Sequence, residues 1–168
     1  MNDKYNHFVF DLDRTLWDVF DKHGNPIWAK QLVEPFEARN DDAIVDDVGS
    51  ICRLKPGVKN FLSSLHKEKK KISFLSVGGI KHLPMKYQPS VLALKTFGIL
   101  KFFNCKRILL YKFDKKSISF PEPRENCIFF DDSDEHLNDV KRELPDVTLV
   151  DAKIIENYES ILTFSENK

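Results

Sequence analysis

The sequence is poor in cysteine and has no apolar run of transmembrane length. Its three cysteines are few, odd in number and unclustered, and no C-x-x-C pair occurs, so neither a disulfide framework nor a thiolate metal site is indicated. We interpret Cys52 and Cys127, which flank apolar residues, as small buried hydrophobic side chains. The N-terminus lacks the apolar core of a signal peptide. We therefore expect a soluble, cytoplasmic protein without a membrane partner, with the nucleus as the alternative compartment.

The sequence also lacks an excess of charge of either sign. Its 168 residues include 26 basic and 26 acidic side chains, whereas nucleic-acid binding normally needs a concentrated basic surface. The charge is locally uneven, because residues 34–47 are acidic and residues 101–124 are rich in lysine and arginine. We interpret the basic segment as solvated surface, with attraction of an anionic substrate as the alternative. The length fits one domain with a substantial core, and we expect a monomer or a weak dimer.

Short apolar segments alternate with helical patterns along the chain. The helical segments place apolar residues on one face, whereas the apolar runs have the length of strands. This alternation predicts a single α/β domain over residues 1–168, a doubly wound, Rossmann-like three-layer sandwich with a mainly parallel five-stranded sheet and no separate cap domain. The predicted strands cover residues 7–11, 71–76, 107–111, 127–131 and 147–150, and the predicted helices cover residues 56–65, 89–97, 133–144 and 153–163.

Residues 17–55 fit this alternation worst. They contain two tryptophans, an acidic patch and the turn signal Gly24-Asn25-Pro26. We predict a flap or insert at about 17–55, irregular apart from one helix near 29–38, that lies over the mouth of the site. We interpret Trp17 and Trp28 as packing residues rather than as a platform on which a base stacks.

Two apolar strands end in paired carboxylates. Asp11 and Asp13 follow the first apolar run on one side of an extended backbone, and Asp131-Asp132 closes a later run. In a parallel sheet, the carboxyl ends of central strands meet in the crevice where ligands bind. Crowded carboxylates repel unless a cation lies between them, and oxygen ligands suit Mg²⁺. The alternative, that Asp132 or Ser133 only caps the next helix, does not explain why both strands end alike.

Two further elements are typical of phosphate binding. The strand at 71–76 ends in Ser76 and is followed by Val77-Gly78-Gly79, where a hydroxyl can donate to a phosphate oxygen and glycine lets amides approach an anion. A lysine after the third inner strand would neutralise phosphate and keep a nucleophilic acid ionised. Each element alone is also typical of ordinary turns and surfaces. Spacing alone does not choose among the candidate lysines, which are Lys112, Lys115 and Lys116.

In this order, the clusters resemble the four motifs of the haloacid dehalogenase-like phosphohydrolase superfamily. Its first motif is similar to Asp11-Leu12-Asp13-Arg14-Thr15-Leu16, its second to Ser76, its third to a lysine in 112–116 and its fourth to Asp131-Asp132. The residues around the first and fourth motifs are most similar to the capless magnesium-dependent phosphatases of that superfamily. The resemblance covers residues 8–132.

The chain also departs from that family. The third-motif lysine of the family precedes a phenylalanine by four residues, which selects Lys116 here, with Lys115 as the alternative because the helix that follows is shortened. The family typically has a tyrosine at the position of Arg14 and an asparagine at that of His136. Strand alternation points Arg14 away from the two acids of the first motif, with a turn that swings it toward the substrate as the alternative. We interpret His136 as a helix-surface or supporting residue rather than a metal ligand.

The resemblance implies a role for each matched residue. Asp11 would attack phosphorus, and Asp13 would protonate the leaving oxygen and then take a proton from the attacking water. Mg²⁺ would bind the Asp11 carboxylate, the Asp13 backbone carbonyl and the Asp132 side chain, while Asp131 would reach the metal through water or support Asp132. The phosphoryl oxygens would be held by Thr15, Ser76, the amides near Val77 and Gly78, and Lys116.

These features predict a Mg²⁺-dependent phosphomonoesterase that forms an aspartyl-phosphate and acts on phosphotyrosine or other phosphoproteins, or on small sugar phosphates. A polynucleotide 3′-phosphatase is the first alternative, because it uses the same motifs and because segment 101–124 is basic. A non-catalytic binding protein with the same fold is the second alternative. A degenerate protein of that kind is expected to lose an acid of the first or fourth motif, and this chain retains them all.

Overall fold

A five-stranded parallel sheet forms the centre of the fold. The computed structural model describes residues 4–112 and 114–163. The strands of the sheet are β1 (His7–Phe10), β7 (Lys71–Val77), β8 (Arg107–Leu110), β9 (Cys127–Asp131) and β10 (Thr148–Asp151). They have the order β10-β9-β1-β7-β8, and all neighbouring strands run parallel. The five strand predictions are confirmed, with ends that differ by at most one residue.

The described part of the chain contains four α-helices. They are α1 (Val58–Lys67), α2 (Pro89–Thr96), α3 (Asp134–Glu143) and α4 (Tyr158–Thr163). The first three helix predictions are confirmed, and the fourth is wrong in its first half. There the Asp151 side chain caps a short 3-10 turn over Ala152–Ile154, and the Asn157 side chain accepts a hydrogen bond from the Glu159 amide at the start of α4. Two separate caps therefore divide this segment into two short helices.

Residues 17–54 form a second sheet, which is antiparallel. Its strands have the order β3-β2-β6-β5-β4 and are β2 (Trp17–Phe20), β3 (Pro26–Ile27), β4 (Glu37–Asn40), β5 (Ala43–Val45) and β6 (Ile51–Leu54). The predicted irregular flap with a helix near 29–38 is therefore wrong. Only Ala29–Gln31 forms a 3-10 turn, because Pro35 lacks an amide hydrogen and disfavours helical geometry at Glu34.

Aromatic packing fixes the two central strands side by side. Phe10 of β1 stacks on Phe130 of β9 with ring centroids 4.8 Å apart, and Phe61 of α1 meets both rings edge-on. Val9 points to the opposite side of the sheet, into a second core cluster that contains Phe129. The Asp11 amide donates to the Phe130 carbonyl at 2.8 Å. The residues that follow β1 and β9 are thereby brought to one edge of the sheet. No helix in the described ranges is long and apolar enough to cross a bilayer.

A buried histidine lies at the opposite end of the sheet. His7 Nδ1 donates to the Pro123 carbonyl at 2.7 Å, and Nε2 lies 2.8 Å from Ser73 Oγ, which also accepts from the Lys106 amide. Burial lowers the pKa of His7 below its ordinary value of 6.5, so the folded protein keeps this ring neutral. Below pH 6.5 the unfolded chain binds a proton that the folded protein does not. The associated stability is present above that pH and is lost as the pH falls through the folded pKa.

We expect the substitution His7→Gln to weaken the pH dependence of stability. For the unsubstituted protein, this one group contributes a fall in the free energy of unfolding of up to about 1.4 kcal/mol per pH unit in acid. Urea unfolding at a series of pH values between neutrality and the onset of acid denaturation measures the difference. His23→Gln removes an exposed histidine and is the matched control. Equal slopes for all three proteins would contradict the assignment to His7.

Candidate active site

Carboxylates converge where β1 and β9 end. Asp11 is 5% and Asp13 is 4% exposed, although both carry ionisable side chains. Asp131 is the last residue of β9, and Asp132 follows it. Asp11, Asp131 and Asp132 each place a carboxylate oxygen within 4.8 Å of the other two. The register of two parallel strands therefore brings together acids that are about 120 residues apart in the sequence.

A fully buried lysine joins two of these acids. Lys116 Nζ lies 2.5 Å from Asp11 Oδ1 and 2.6 Å from Asp131 Oδ2. It comes from the segment between β8 and β9, and its neighbour Lys115 is exposed. Of the two lysines that the resemblance left open, the structure places Lys116 in the cluster.

Burial and the ammonium group act on the acids in opposite directions. Burial raises the pKa of Asp11 to about 7, against the lowering effect of Lys116. Burial also acts to raise the pKa of Asp131, but the nearby His136 and Lys116 outweigh it, and the net shift is downward. For Lys116, burial acts to lower the pKa, while the charges of the two carboxylates prevail and raise it. The cluster thus holds one ammonium ion and several carboxylates in a largely buried environment.

Asp13 is held by the inserted antiparallel sheet. Its Oδ1 accepts a hydrogen bond from Trp17 Nε1 at 2.7 Å and another from the Ala29 amide at 3.1 Å. Burial raises the pKa of Asp13, and these two donors oppose the rise. The interpretation of Trp17 as a packing residue is therefore incomplete. A buried indole N–H needs an acceptor, but that general requirement did not specify Asp13 from the sequence.

We expect Trp17→Phe to impair turnover more than the loss of packing explains. The phenyl ring keeps most of the apolar contacts but removes the donor to Asp13. Loss of a hydrogen bond to a charged group is expected to lower a rate constant by about tenfold or more. We expect kcat to fall by about that factor while KM changes little, because the bond fixes an acid rather than the substrate. Ala29 offers only its backbone amide, so Ala29→Ser is the matched control. A fall in kcat that is accounted for by a matching loss of thermal stability would contradict this positioning role.

Among the residues predicted to hold phosphate, Val77 lines the cavity that contains Asp11, whereas Thr15 and Ser76 are buried. Thr15 Oγ1 is buried without a hydrogen-bond partner in the described part of the chain, so its donor is available. Ser76 is buried near the end of β7, and Val77 lines the cavity above Asp11. The Gly78 amide donates to the Leu110 carbonyl at 3.1 Å, so it is already engaged in this structure. A Cβ added at Gly78 would lie 3.8 Å from Asp13 Oδ2, so this residue borders the site directly.

A cavity of about 480 Å³ opens over the acids. Arg14 lines it, so of the two orientations expected for this side chain the structure shows the one in which the turn swings it toward the cavity. The reason is the backbone, because Arg14 has a φ of 62° and leaves the alternation of a strand. Trp28 is 41% exposed at the mouth, with the Arg14 guanidinium 4.4 Å from its ring centroid. The lining residues are Asp11, Asp13, Arg14, Trp28, Lys30, Val77, Lys112, Asp132, Ser133, His136 and Lys153.

Capping and acid chemistry are divided between neighbouring residues at the start of α3. Ser133 caps the helix, since its Oγ accepts from the His136 amide, and its own amide donates to Asp131 Oδ1 at 2.8 Å. His136 Nδ1 lies 3.3 Å from Asp131 Oδ2 and has no hydrogen-bond partner among the described residues. Asp132 caps nothing and lines the cavity. The capping alternative therefore accounts for Ser133 and leaves Asp132 facing the acids of β1.

The donor set fits a hard divalent cation. Asp11, Asp131 and Asp132 offer only oxygen atoms, and such ligands suit Mg²⁺. In the described residues, Lys116 is the cation that forms ion pairs with Asp11 and Asp131. Burial and the charge of Asp131 raise the pKa of Asp132, as expected for acids that need a further positive charge. Asp13 is oriented toward Trp17 and lies outside this three-residue group.

Comparison with known proteins places the chain in a family. No curated protein sequence matches it. The sequence profile of the family described as Acid Phosphatase matches residues 5–153, which include both strands with paired acids, Lys116 and the inserted sheet. Such a match supports a phosphatase, that is, a hydrolase of the haloacid dehalogenase type. The chain belongs to this haloacid dehalogenase-like, magnesium-dependent acid phosphatase family.

Proposed function

We propose that the protein is a Mg²⁺-dependent phosphomonoesterase that works through an aspartyl-phosphate on Asp11. The observation that carries this proposal is the position of Asp11, which lies at the base of an open cavity, paired with Lys116 and close to Asp131 and Asp132. A nucleophilic carboxylate needs access to phosphorus, a cation to neutralise the phosphoryl oxygens and a nearby acid for the leaving group. Asp13 lines the same cavity and supplies the acid.

The reaction divides into two displacements at phosphorus. In the first, an Asp11 oxygen attacks phosphorus, the bond to the ester oxygen breaks, and Asp13 gives its proton to the departing alcohol. In the second, water attacks phosphorus while Asp13 takes up its proton, and the Asp11 carboxylate leaves as inorganic phosphate forms. Burial raises the pKa of Asp13, which is the direction that favours a proton donor.

The remaining residues bind and orient the phosphoryl group. Lys116 supplies a fixed positive charge next to the attacking oxygen, and the unpaired Thr15 hydroxyl is a ready donor to a phosphoryl oxygen. Asp11, Asp131 and Asp132 would hold Mg²⁺, which supplies positive charge to the phosphoryl oxygens when it is bound. Val77 borders the same space at the end of β7, and the buried Ser76 precedes it in that strand.

Hydrolysis of p-nitrophenyl phosphate with and without Mg²⁺ tests this proposal. We expect turnover with Mg²⁺, loss of turnover with a chelator, and recovery when Mg²⁺ is returned in excess. A base-labile radiolabel on the protein after acid quench, from a phosphate-labelled substrate, would demonstrate the aspartyl-phosphate. Turnover that is indifferent to chelators, or a folded protein without turnover, would contradict the proposal.

We propose phosphoproteins, phosphotyrosine in particular, or small sugar phosphates as the substrate class. The open cavity over the acids supports both groups. We further propose that the chain is a single Rossmann-like three-layer domain without a separate cap domain, and that it is a monomer or a weak dimer. Comparing phosphotyrosine peptides, sugar phosphates and 3′-phosphorylated DNA at equal concentration separates them. Efficient release of phosphate from the DNA alone would favour the polynucleotide 3′-phosphatase instead.

A further inference from the structure

A cation is held at the cavity mouth by unusual backbone geometry. Arg14 adopts a φ of 62°, in the left-handed region that side-chain-bearing residues seldom enter. The turn is fixed by hydrogen bonds from the Arg14 amide to the Trp17 carbonyl, at 2.6 Å, and from the Thr15 amide to the Leu12 carbonyl, at 3.2 Å. This conformation directs the guanidinium into the cavity that contains the acids. Strain of this kind, retained beside a reactive cluster, points to a functional use of the side chain.

The guanidinium is stacked rather than paired. Its Cζ lies 4.4 Å from the Trp28 ring centroid, and the Trp28 amide is itself held by Gln31 Oε1 at 2.9 Å. Over residues 4–112 and 114–163, the Arg14 side chain makes no ion pair and no hydrogen bond. Stacking covers the face of the guanidinium and leaves its N–H edge available. A planar fork held in this way is suited to bidentate binding of a carboxylate or a phosphate.

Charge is distributed by depth in the cavity. The acids Asp11 and Asp13 are at most 5% exposed, whereas Arg14, Trp28 and Lys30 are exposed where the cavity meets solvent. Lys30 belongs to the 3-10 turn that directly follows Trp28, and its side chain makes no ion pair with a described residue. A phosphoryl group that reaches Asp11 therefore leaves the rest of its ester in a cavity whose lining includes the cations Arg14 and Lys30.

We propose that the preferred substrate carries a second oxyanion, a carboxylate or another phosphate, and that Arg14, stacked on Trp28, binds it with help from Lys30. This proposal rests on the phosphomonoesterase function above and adds a substrate class to it. The scissile phosphoryl group lies against Asp11 and Lys116, and the second oxyanion lies at the mouth. A neutral leaving group forms no ion pair with Arg14 and Lys30, so its ester binds more weakly in the ground state and the transition state alike.

Matched pairs of esters that differ only in the second oxyanion test this proposal. The pairs are glycerol 3-phosphate with 3-phosphoglycerate, fructose 6-phosphate with fructose 1,6-bisphosphate, and a phosphotyrosine peptide with glutamine or glutamate beside the phosphotyrosine. In at least one pair, we expect kcat/KM to be about tenfold or more higher for the doubly anionic member. The preferred pair identifies the source of the oxyanion as a carboxylate metabolite, a bisphosphate or an acidic peptide.

Variants assign the preference to the cavity mouth. In Arg14→Gln, the two members of the preferred pair are expected to have equal kcat/KM. In Arg14→Lys, part of the preference is expected to return, since a lysine keeps the charge but not the planar guanidinium. Lys30→Gln leaves the strained turn intact and is expected to reduce the ratio by a smaller factor. Lys95→Gln removes an exposed cation on α2 and is expected to leave the ratio unchanged.

The outcomes separate this proposal from the function on which it rests. Equal kcat/KM within every pair, with p-nitrophenyl phosphate still hydrolysed, overturns the second-oxyanion site and leaves the phosphatase intact. A preference that survives in both Arg14→Gln and Lys30→Gln also overturns the assigned site. A folded protein that hydrolyses neither p-nitrophenyl phosphate nor any member of the pairs overturns the phosphatase function itself.

Discussion

Asp11→Asn is expected to reduce phosphatase turnover by at least about 10⁴-fold, the scale on which loss of an attacking group acts in hydrolases that form covalent intermediates. An amide oxygen is too weak a nucleophile to displace the ester oxygen from phosphorus. The measurements are the initial rate with p-nitrophenyl phosphate and the amount of acid-stable, base-labile phosphate on the protein. Both are expected to fall to background in the variant.

The fold is expected to tolerate this substitution. Asparagine keeps the shape of the side chain, and Lys116 retains its ion pair with Asp131 at 2.6 Å. Burial raises the pKa of Asp11 to about 7, so removal of its charge relieves part of the burial penalty. Asp47→Asn, at an exposed acid of the inserted sheet, is the matched control and should keep full activity. Substantial turnover by a folded Asp11→Asn protein would exclude Asp11 as the nucleophile.

Lys116→Met is expected to have the largest effect on stability among single substitutions in the site. Lys116 is completely buried between Asp11 and Asp131, and methionine fills a similar volume without the charge. Removing one partner of a buried ion pair leaves an uncompensated charge and lowers the free energy of unfolding by about 3–5 kcal/mol. Urea unfolding at neutral pH measures this loss, and turnover is expected to disappear with it.

The pH dependence separates loss of charge from loss of packing. In Lys116→Met, the unpaired carboxyl groups of Asp11 and Asp131 gain stability when they bind protons, so the difference from the unsubstituted protein is expected to shrink as the pH falls. Lys115→Met changes the adjacent, exposed lysine and is expected to alter stability by less than about 0.5 kcal/mol. A loss in Lys116→Met that is constant with pH would assign the effect to packing instead.

The sequence determined the central sheet and the residues that end its strands. The run around Phe10 and the run around Phe130 are too apolar and too short for any position other than buried strands, and each is followed at once by acids. Because parallel strands align their carboxyl ends, the convergence of Asp11 with Asp132 followed from order along the chain alone. The helices α1, α2 and α3 were equally clear, since the apolar face of α1, the Pro89 and Gly98 that bound α2, and the Ser133 cap of α3 are local properties.

The inserted sheet could not be predicted in the same way. Its strands are two to four residues long, and they are ordered by pairing with one another rather than by any local period. Pro35 excluded the helix near 29–38, but what replaced that helix depends on contacts between β2, β5 and β6. The bond from Trp17 to Asp13 belongs to the same category, because it needs the turn that returns β2 toward the site.

Residue types along the chain indicated which side chains are reactive. Which of these side chains lie close together depends on the tertiary structure. The sequence does not distinguish Lys115 from Lys116 as the site lysine. In the structure Lys116 is buried between Asp11 and Asp131. Strand alternation in the sequence predicts that Arg14 points away from the acids. In the structure its side chain lines the cavity, because hydrogen bonds within its turn hold a left-handed backbone. The physical reason is the same in both cases. Residue type and period act over a few neighbours, whereas burial, ion pairing and stacking depend on segments that are distant in sequence.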